Sequence, residues 1–242
     1  TSPLTFETTG GGSWEIWDRF IAVNGQNIYH IGNVCGTCSF FFEKLIDNKK
    51  SINPKETIDK LNIGLTSIGD NTIDTLREII PNGFYEIALL TIKPKFVEVG
   101  QSGDYFANEQ VNLWGIDGYY GVPHSPKVNY YRGTDKEIGD ERKLFEFFIP
   151  LTSTDNLDQT RVDFYKEEIL KGNKPTAISL SILDIKEPAV WPDDDIKPDF
   201  ISHWCVAHYI LDGHHKIKAA SDLNSEITLL SFLATEKGIS ST

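Results

Sequence analysis

The 242-residue chain contains no Met, only three Cys and no apolar run of the roughly 18 residues that a membrane-crossing helix needs. A transmembrane helix is therefore not expected. The absence of Met is unusual for this length; chance together with removal of an initiator Met is the plain explanation, and loss of modified Met residues from the sequence as read is the alternative. The first residues, Thr1-Ser2-Pro3-Leu4-Thr5-Phe6-Glu7, have neither the basic nor the apolar region of a secretion signal, although a signal already cleaved stays open. Basic runs are nearly lacking too: the densest is Lys49-Lys50, against a formal net charge of −12 and a pI of about 4.9. Such a surface repels a phosphate backbone, so nucleic acid is not the expected partner and a small-molecule site is.

Three Cys is too few, and odd in number, for a secreted disulfide framework. Cys35 and Cys38 form a CxxC pair, a spacing that suits metal binding or thiol redox chemistry better. A zinc site would need two more ligands, for which Cys205 and His203 are candidates, with His30 and His208 in reserve. Inert thiols are the plain alternative. A cytoplasmic location is expected from this cysteine usage.

What is present is ordinary globular material, 40% apolar and 24% charged, enough for a sizeable core. The opening segment, ending in Gly10-Gly11-Gly12-Ser13, reads as a flexible lead-in. Trp14 to Val23 and Asn27 to Ile31 flank Asn24-Gly25, a strong hairpin signal. Gly36 to Ile46, with Phe40, Phe41 and Phe42, reads as a buried helix; Lys55 to Leu61 and Thr72 to Ile80 read as short amphipathic helices. Phe84 to Ile92 is a buried-strand pattern. Residues 100–143 are rich in Gly, Asp, Tyr and Asn, suited to a loop-rich connection or lid in which Tyr119-Tyr120 could line a pocket.

From Phe145 the pattern becomes regular: strand to Ile149, helix Asp158 to Lys171, strand Thr176 to Ile185, strand Val206 to Leu211, helix His214 to Asp222, strand Ile227 to Leu233. The fold class is α+β, with an N-terminal α+β region over 1–143 and a second domain over 144–242.

Between strand and helix stands Asp212-Gly213-His214-His215-Lys216. The glycine permits a sharp turn, the first helical N–H groups lack internal partners, and imidazoles and an ammonium add donors. Together they favour an anion such as phosphate. Asp212 as a simple helix cap is the alternative.

The stretch Val206 to Ala220, through that pentapeptide, resembles the signature of the ParB/sulfiredoxin-like superfamily. Glu226 to Phe232 fits the closing strand of that family, and the resemblance covers roughly Phe145 to Thr235. It implies a mixed sheet with helices and nucleotide-phosphate binding by residues 212–216, closest in motif to the free-serine kinases. Lys216 stands where Arg is usual, replacing a bidentate fork by a point charge. His214 stands where the sulfinic acid reductases carry cysteine, so that chemistry is not expected. With nine residues after Leu233, the DNA-reading helices of partition proteins are not expected either.

The expected function is nucleotide-phosphate binding, in its enzymatic form an ATP-dependent kinase or nucleotide hydrolase acting on a small hydroxyl-bearing molecule. ATP or another nucleotide, Mg and Zn are the candidate cofactors. Catalysis would need a base and metal ligands. Asp212, Glu168 and its neighbour Glu167 are candidates for the former, and Asp193-Asp194-Asp195 with Asp199 for the latter, unless these are solvated surface acids. A non-catalytic nucleotide or anion sensor and a zinc- or thiol-stabilised interaction protein are the alternatives.

Overall fold

A computed structural model describes residues 2–47, 60–114, 124–139, 141–188 and 202–239, apart from the side chain of Leu113. The strands are β1 (Leu4–Gly11), β2 (Trp14–Val23), β3 (Gln26–Asn33), β4 (Glu43–Lys44), β5 (Tyr85–Ile92), β6 (Lys95–Val97), β7 (Tyr130–Arg132), β8 (Lys136–Glu137), β9 (Arg142–Pro150), β10 (Thr176–Lys186), β11 (Ser202–Asp212) and β12 (Ile227–Ala234). The helices are α1 (Lys60–Ile63), α2 (Asp70–Leu76), α3 (Glu109–Trp114), α4 (Gln159–Leu170) and α5 (His214–Asp222).

The first four strands form an antiparallel meander in the order β1-β2-β3-β4. Asn24 and Gly25 both have positive φ, 52° and 76°, as the tight hairpin between β2 and β3 requires. The expected lead-in is instead strand β1. Its glycines serve the turn: Gly12 has φ 58°, and a Cβ at Gly10 would lie 2.9 Å from the carbonyl oxygens of Trp14 and Glu15.

The helix expected over 36–46 is also absent. Cys35 and Cys38 are joined in a disulfide, and the following chain runs extended into β4. Extended backbone sends successive side chains to opposite sides. Phe40 and Phe42 thereby reach Phe106 and Phe147, while Phe41 packs on His30 and His124. A helix would separate those partners by about 100° rotations and bury the three rings less evenly. Helix α2 starts earlier and ends sooner than expected. The helix expected over 55–61 falls mostly outside the described residues, as do Tyr119-Tyr120.

The second sheet has the order β5-β12-β10-β11-β9-β7-β6, with β8 on β9. The β10–β12 and β9–β11 pairs are parallel, the others antiparallel, so the sheet is mixed as expected. Its two ends, β5 and β6, are joined only by Lys93-Pro94. Three residue steps reach about 11 Å at most, so the sheet must roll until its edges approach.

One face of this rolled sheet, with Phe148, Ala177, Ile210 and Leu229, packs on Val162, Tyr165 and Ile169 of α4 and Ile217 and Ala220 of α5. The other face packs on the meander, joining Phe147, Leu180 and Phe232 to Leu4, Ile21 and Tyr29 in one core. Strands β5, β6 and β7 lie before residue 143 and still belong to the sheet of β9 to β12. Strands from both sides of the 143/144 boundary thus share one sheet.

Candidate functional site

Strand β11 delivers Asp212, and Gly213 makes the turn into α5. Gly213 has φ 92° and ψ 21°, left-handed backbone that disfavours any other residue. A Cβ there would sit 2.7 Å from Ala177 Cβ and 2.8 Å from its Cα. The first intrahelical bond runs from Ile217 N–H to Gly213 O, 3.0 Å. The backbone N–H groups of His214, His215 and Lys216 have no acceptor among the described residues. They carry the positive end of the helix dipole.

The side chains of the pentapeptide are engaged differently from the donor cluster expected. His214 Nε2 accepts from Leu151 N–H and Thr152 N–H at 3.1 and 3.3 Å, and His215 Nε2 accepts from Asp158 N–H at 3.2 Å. An accepting ring nitrogen is unprotonated, so both imidazoles are neutral here. Burial agrees, pulling His214 down to about 4 against the opposing carboxylate of Asp212. His215 is lowered by burial and the nearby charge of Arg161.

Lys216 Nζ donates to Thr176 O at 2.9 Å, lies 3.5 Å from Asp212 Oδ2 and sits 5.5 Å from the Tyr165 ring centroid. Burial lowers its pKa, and Asp212 counteracts that. The ammonium therefore ties the turn to β10 from inside. The structure brings all five residues together, with the backbone rather than the side chains supplying the free donors.

Space at the turn is divided. Between His214, Ile217, Tyr131 and the segment Pro150–Leu157 remains about 10 Å³, room for about one water. A separate cavity of about 200 Å³ is lined by Lys44, Asp47, Lys127 and Ser153, among others. Ser153 directly follows Thr152, the donor to His214, and the charge of Lys44 is felt at His214. Lys44 pairs with Asp47 at 2.5 Å, and Lys127 pairs with Glu43.

The proposed base and metal ligands fare differently. Glu168 accepts from Lys171 Nζ and Asn173 Nδ2, each at 2.7 Å, at the C-terminal end of α4. Those bonds hold its carboxyl below the usual range. Asp212 is engaged with Lys216. Asp193, Asp194, Asp195 and Asp199 lie outside the described residues.

The zinc candidates separate into two places. Cys35 and Cys38 are bonded to each other, which removes both thiolates as ligands. Cys205 is fully buried, its thiol pushed up by burial beyond the ordinary range. Tyr105 Oη bridges it to His203, 2.8 Å from His203 Nδ1 and 3.7 Å from Cys205 Sγ. Burial and the charge of Lys143 bring His203 down to about 3. Among the described residues no group of three or more His, Cys, Asp or Glu is placed to hold a metal.

Two buried polar clusters escaped the sequence. Ser181 Oγ lies 2.7 Å from His208 Nδ1 and 2.9 Å from the hydroxyls of Ser179 and Ser231, and His208 Nε2 is 3.4 Å from Glu146 Oε1. The order serine, histidine, carboxylate has the form of a nucleophile with its base and orienting acid. Yet Ser181 is 0% exposed and its hydroxyl is shared with two further serines. It works as a hydrogen-bonded core inside the helix-covered face. Ser179 and Ser181, alternating with Ile178, Leu180 and Ile182 along β10, were the available signal.

The second cluster joins the layers. Arg19 donates to both oxygens of Asp184, at 3.0 and 2.6 Å, and to Ile31 O and Lys237 O at 3.0 and 2.7 Å. No pattern in the sequence links residues so far apart.

Compared with protein-family models, curated proteins and solved structures, the chain matches none. Among the described residues no helix is long and apolar enough to cross a membrane.

Proposed function

We propose that the chain binds a small phosphate-bearing molecule, a nucleotide in the first instance, at the N-terminus of α5, and acts as a sensor without turnover. One observation carries this reading: three N–H groups on the first turn of α5 have no acceptor among the described residues. The Thr152 that bonds His214 adjoins Ser153, which lines a cavity of about 200 Å³ with Lys44 and Lys127. Aligned amides favour negative charge, and the two ammonium groups of the neighbouring cavity add to it. The resemblance of 206–220 to the ParB/sulfiredoxin-like turn points the same way. Binding would require Lys44 and Lys127 to exchange Asp47 and Glu43 for the ligand's oxygens.

The sensor form is preferred to a kinase or hydrolase because Asp212 and Glu168 already have cationic partners and so are poor bases. Thermal melting with ATP, CTP, ADP and inorganic phosphate, each with and without Mg, tests the reading. A stabilisation of about 2.7 kcal/mol is expected at one hundred times Kd, without nucleotide hydrolysis. Lys127→Glu, at an exposed lysine, should weaken binding about tenfold by reversing one charge. Absence of any shift with all four ligands would remove the proposal, and turnover would replace the sensor by the enzyme.

A further inference from the structure

Cys35 and Cys38, which nucleotide binding leaves unused, are joined across a sequence separation of only 3. Cross-linking stabilises a fold chiefly by restricting the unfolded chain, and it does so least for the shortest loops. The segment is also fastened by bonds that do not involve sulfur. Cys35 N–H donates to Asn33 Oδ1 at 3.2 Å, Lys186 Nζ donates to Cys35 O at 2.6 Å, and Glu187 N–H donates to Gly36 O at 2.9 Å. Beyond Cys38, the rings of Phe40, Phe41 and Phe42 anchor the chain in the core. The disulfide can therefore open while its loop keeps its place. A structural staple does not need that property, and an exchanging pair does.

The surroundings favour a thiolate on Cys35. Cys35, Gly36 and Cys38 are half-buried and Thr37 between them is exposed, which leaves the pair open to solvent. Thr37 Oγ1 is 3.7 Å from Cys35 Sγ, placed to donate to a thiolate there. Lys186 brings an ammonium to the same residue. The other charges felt by Lys186, Asp184 and Arg19, are paired with each other. Burial lowers Lys186 to about 8, which keeps it mostly protonated at neutral pH. A neighbouring cation and the CxxC spacing both favour the ionised form of a thiol. The third cysteine, Cys205, is fully buried and takes no part.

We propose that Cys35 and Cys38 form a redox-active pair that exchanges with low-molecular-weight thiols, Cys35 being the thiolate that reacts. In the reducing direction a donor thiolate attacks Cys35 Sγ, forming a mixed disulfide and releasing Cys38, which takes up a proton. A second donor thiolate attacks the donor sulfur of that mixed disulfide and releases Cys35. The pair gains two electrons, and the donor leaves as its own disulfide. In reverse, the Cys35 thiolate attacks a small disulfide, and Cys38 then displaces the remaining thiol to restore the bond.

The test equilibrates the full chain with mixtures of reduced and oxidised glutathione, followed by acid quenching, alkylation and mass spectrometry. Cys35 and Cys38 should pass between disulfide and dithiol as the ratio changes, with the near-ultraviolet circular dichroism of the folded chain retained. In Cys38→Ala, Cys35 should react with iodoacetamide at neutral pH at least about tenfold faster in the folded chain than in urea, as a stabilised thiolate does. It should also react about tenfold faster than Cys38 does in folded Cys35→Ala. If either variant does not fold, the glutathione titration of the parent decides alone. A disulfide that stays closed at every ratio, one that opens only with loss of the fold, or equal rates for the two thiols would each overturn the proposal. Its outcome does not depend on whether nucleotides bind at α5.

Discussion

The two faces of the eight-stranded sheet are closed by layers of different origin. The helix face is covered by α4 and α5, both connected directly to the strands they cover. Its largest buried polar network, Ser179–Ser181–Ser231–His208, lies within the sheet itself, beside the single tie from Lys216 of α5 to Thr176 O. The meander face is covered by the first 44 residues and held by Arg19, which meets Asp184 across 165 positions of sequence. On one side the polar core stiffens a layer; on the other a buried ion pair clamps two layers together. The difference predicts which single substitutions loosen the molecule and which merely soften it.

The clamp should show the largest effect. Asp184→Asn leaves the Arg19 charge buried and unbalanced, and breaking such a pair costs about 3–5 kcal/mol. Replacing both partners, Arg19→Met with Asp184→Leu, should recover most of that loss, because neither charge then needs compensation. Urea unfolding of the single and double variants measures this. A single variant within about 1 kcal/mol of the parent would show that the clamp does not hold the layers.

The turn on the helix side should respond next. Gly213→Ala puts a methyl group 2.7 Å from Ala177 Cβ in left-handed backbone, and about 3 kcal/mol of destabilisation is expected from contact and backbone strain together. The loss should appear in urea unfolding. Amide exchange should place the increased opening in α5 and spare the meander. Equal loosening of both layers would mean that the two faces are not independent in this sense.

The same contrast explains what could be read from the residues in order. Strands and helices from Phe145 onward follow local periodicity, and their boundaries agree within a few positions because neighbours in sequence are neighbours in the fold. Asn24-Gly25 announced its hairpin for the same reason. Phe40-Phe41-Phe42 misled because three consecutive rings fit a buried helix as well as an extended chain with partners on both sides; those partners, Phe106 and Phe147, are distant in sequence. At the turn, Gly213 and the amides were legible. The use of His214 and His215 as acceptors depended on Leu151, Thr152 and Asp158, which no motif connects to them. Arg19 and Asp184 were wholly invisible, since a single Arg and a single Asp carry no mark of each other.

Acid separates the faces by a smaller, graded effect. His203, on the meander side, titrates at about 3 in the folded chain against 6.5 ordinarily, and His214, at the helix turn, at about 4. Above 6.5 both are neutral whether folded or not, so they add no pH dependence. Below that value the unfolded chain takes up protons that the folded chain refuses, and stability falls with pH. For His203 the slope approaches about 1.4 kcal/mol per pH unit, or about 2 kcal/mol between about pH 6.5 and about pH 5. His203→Asn should remove that part of the slope down to about pH 3, whereas His214→Asn should alter it only down to about pH 4. Urea unfolding of parent and variants across this interval reads both. Identical pH profiles for the parent and His203→Asn would mean that His203 takes up its proton equally in the folded and unfolded chain, so that burial against Tyr105 and Phe145 does not exclude the charge.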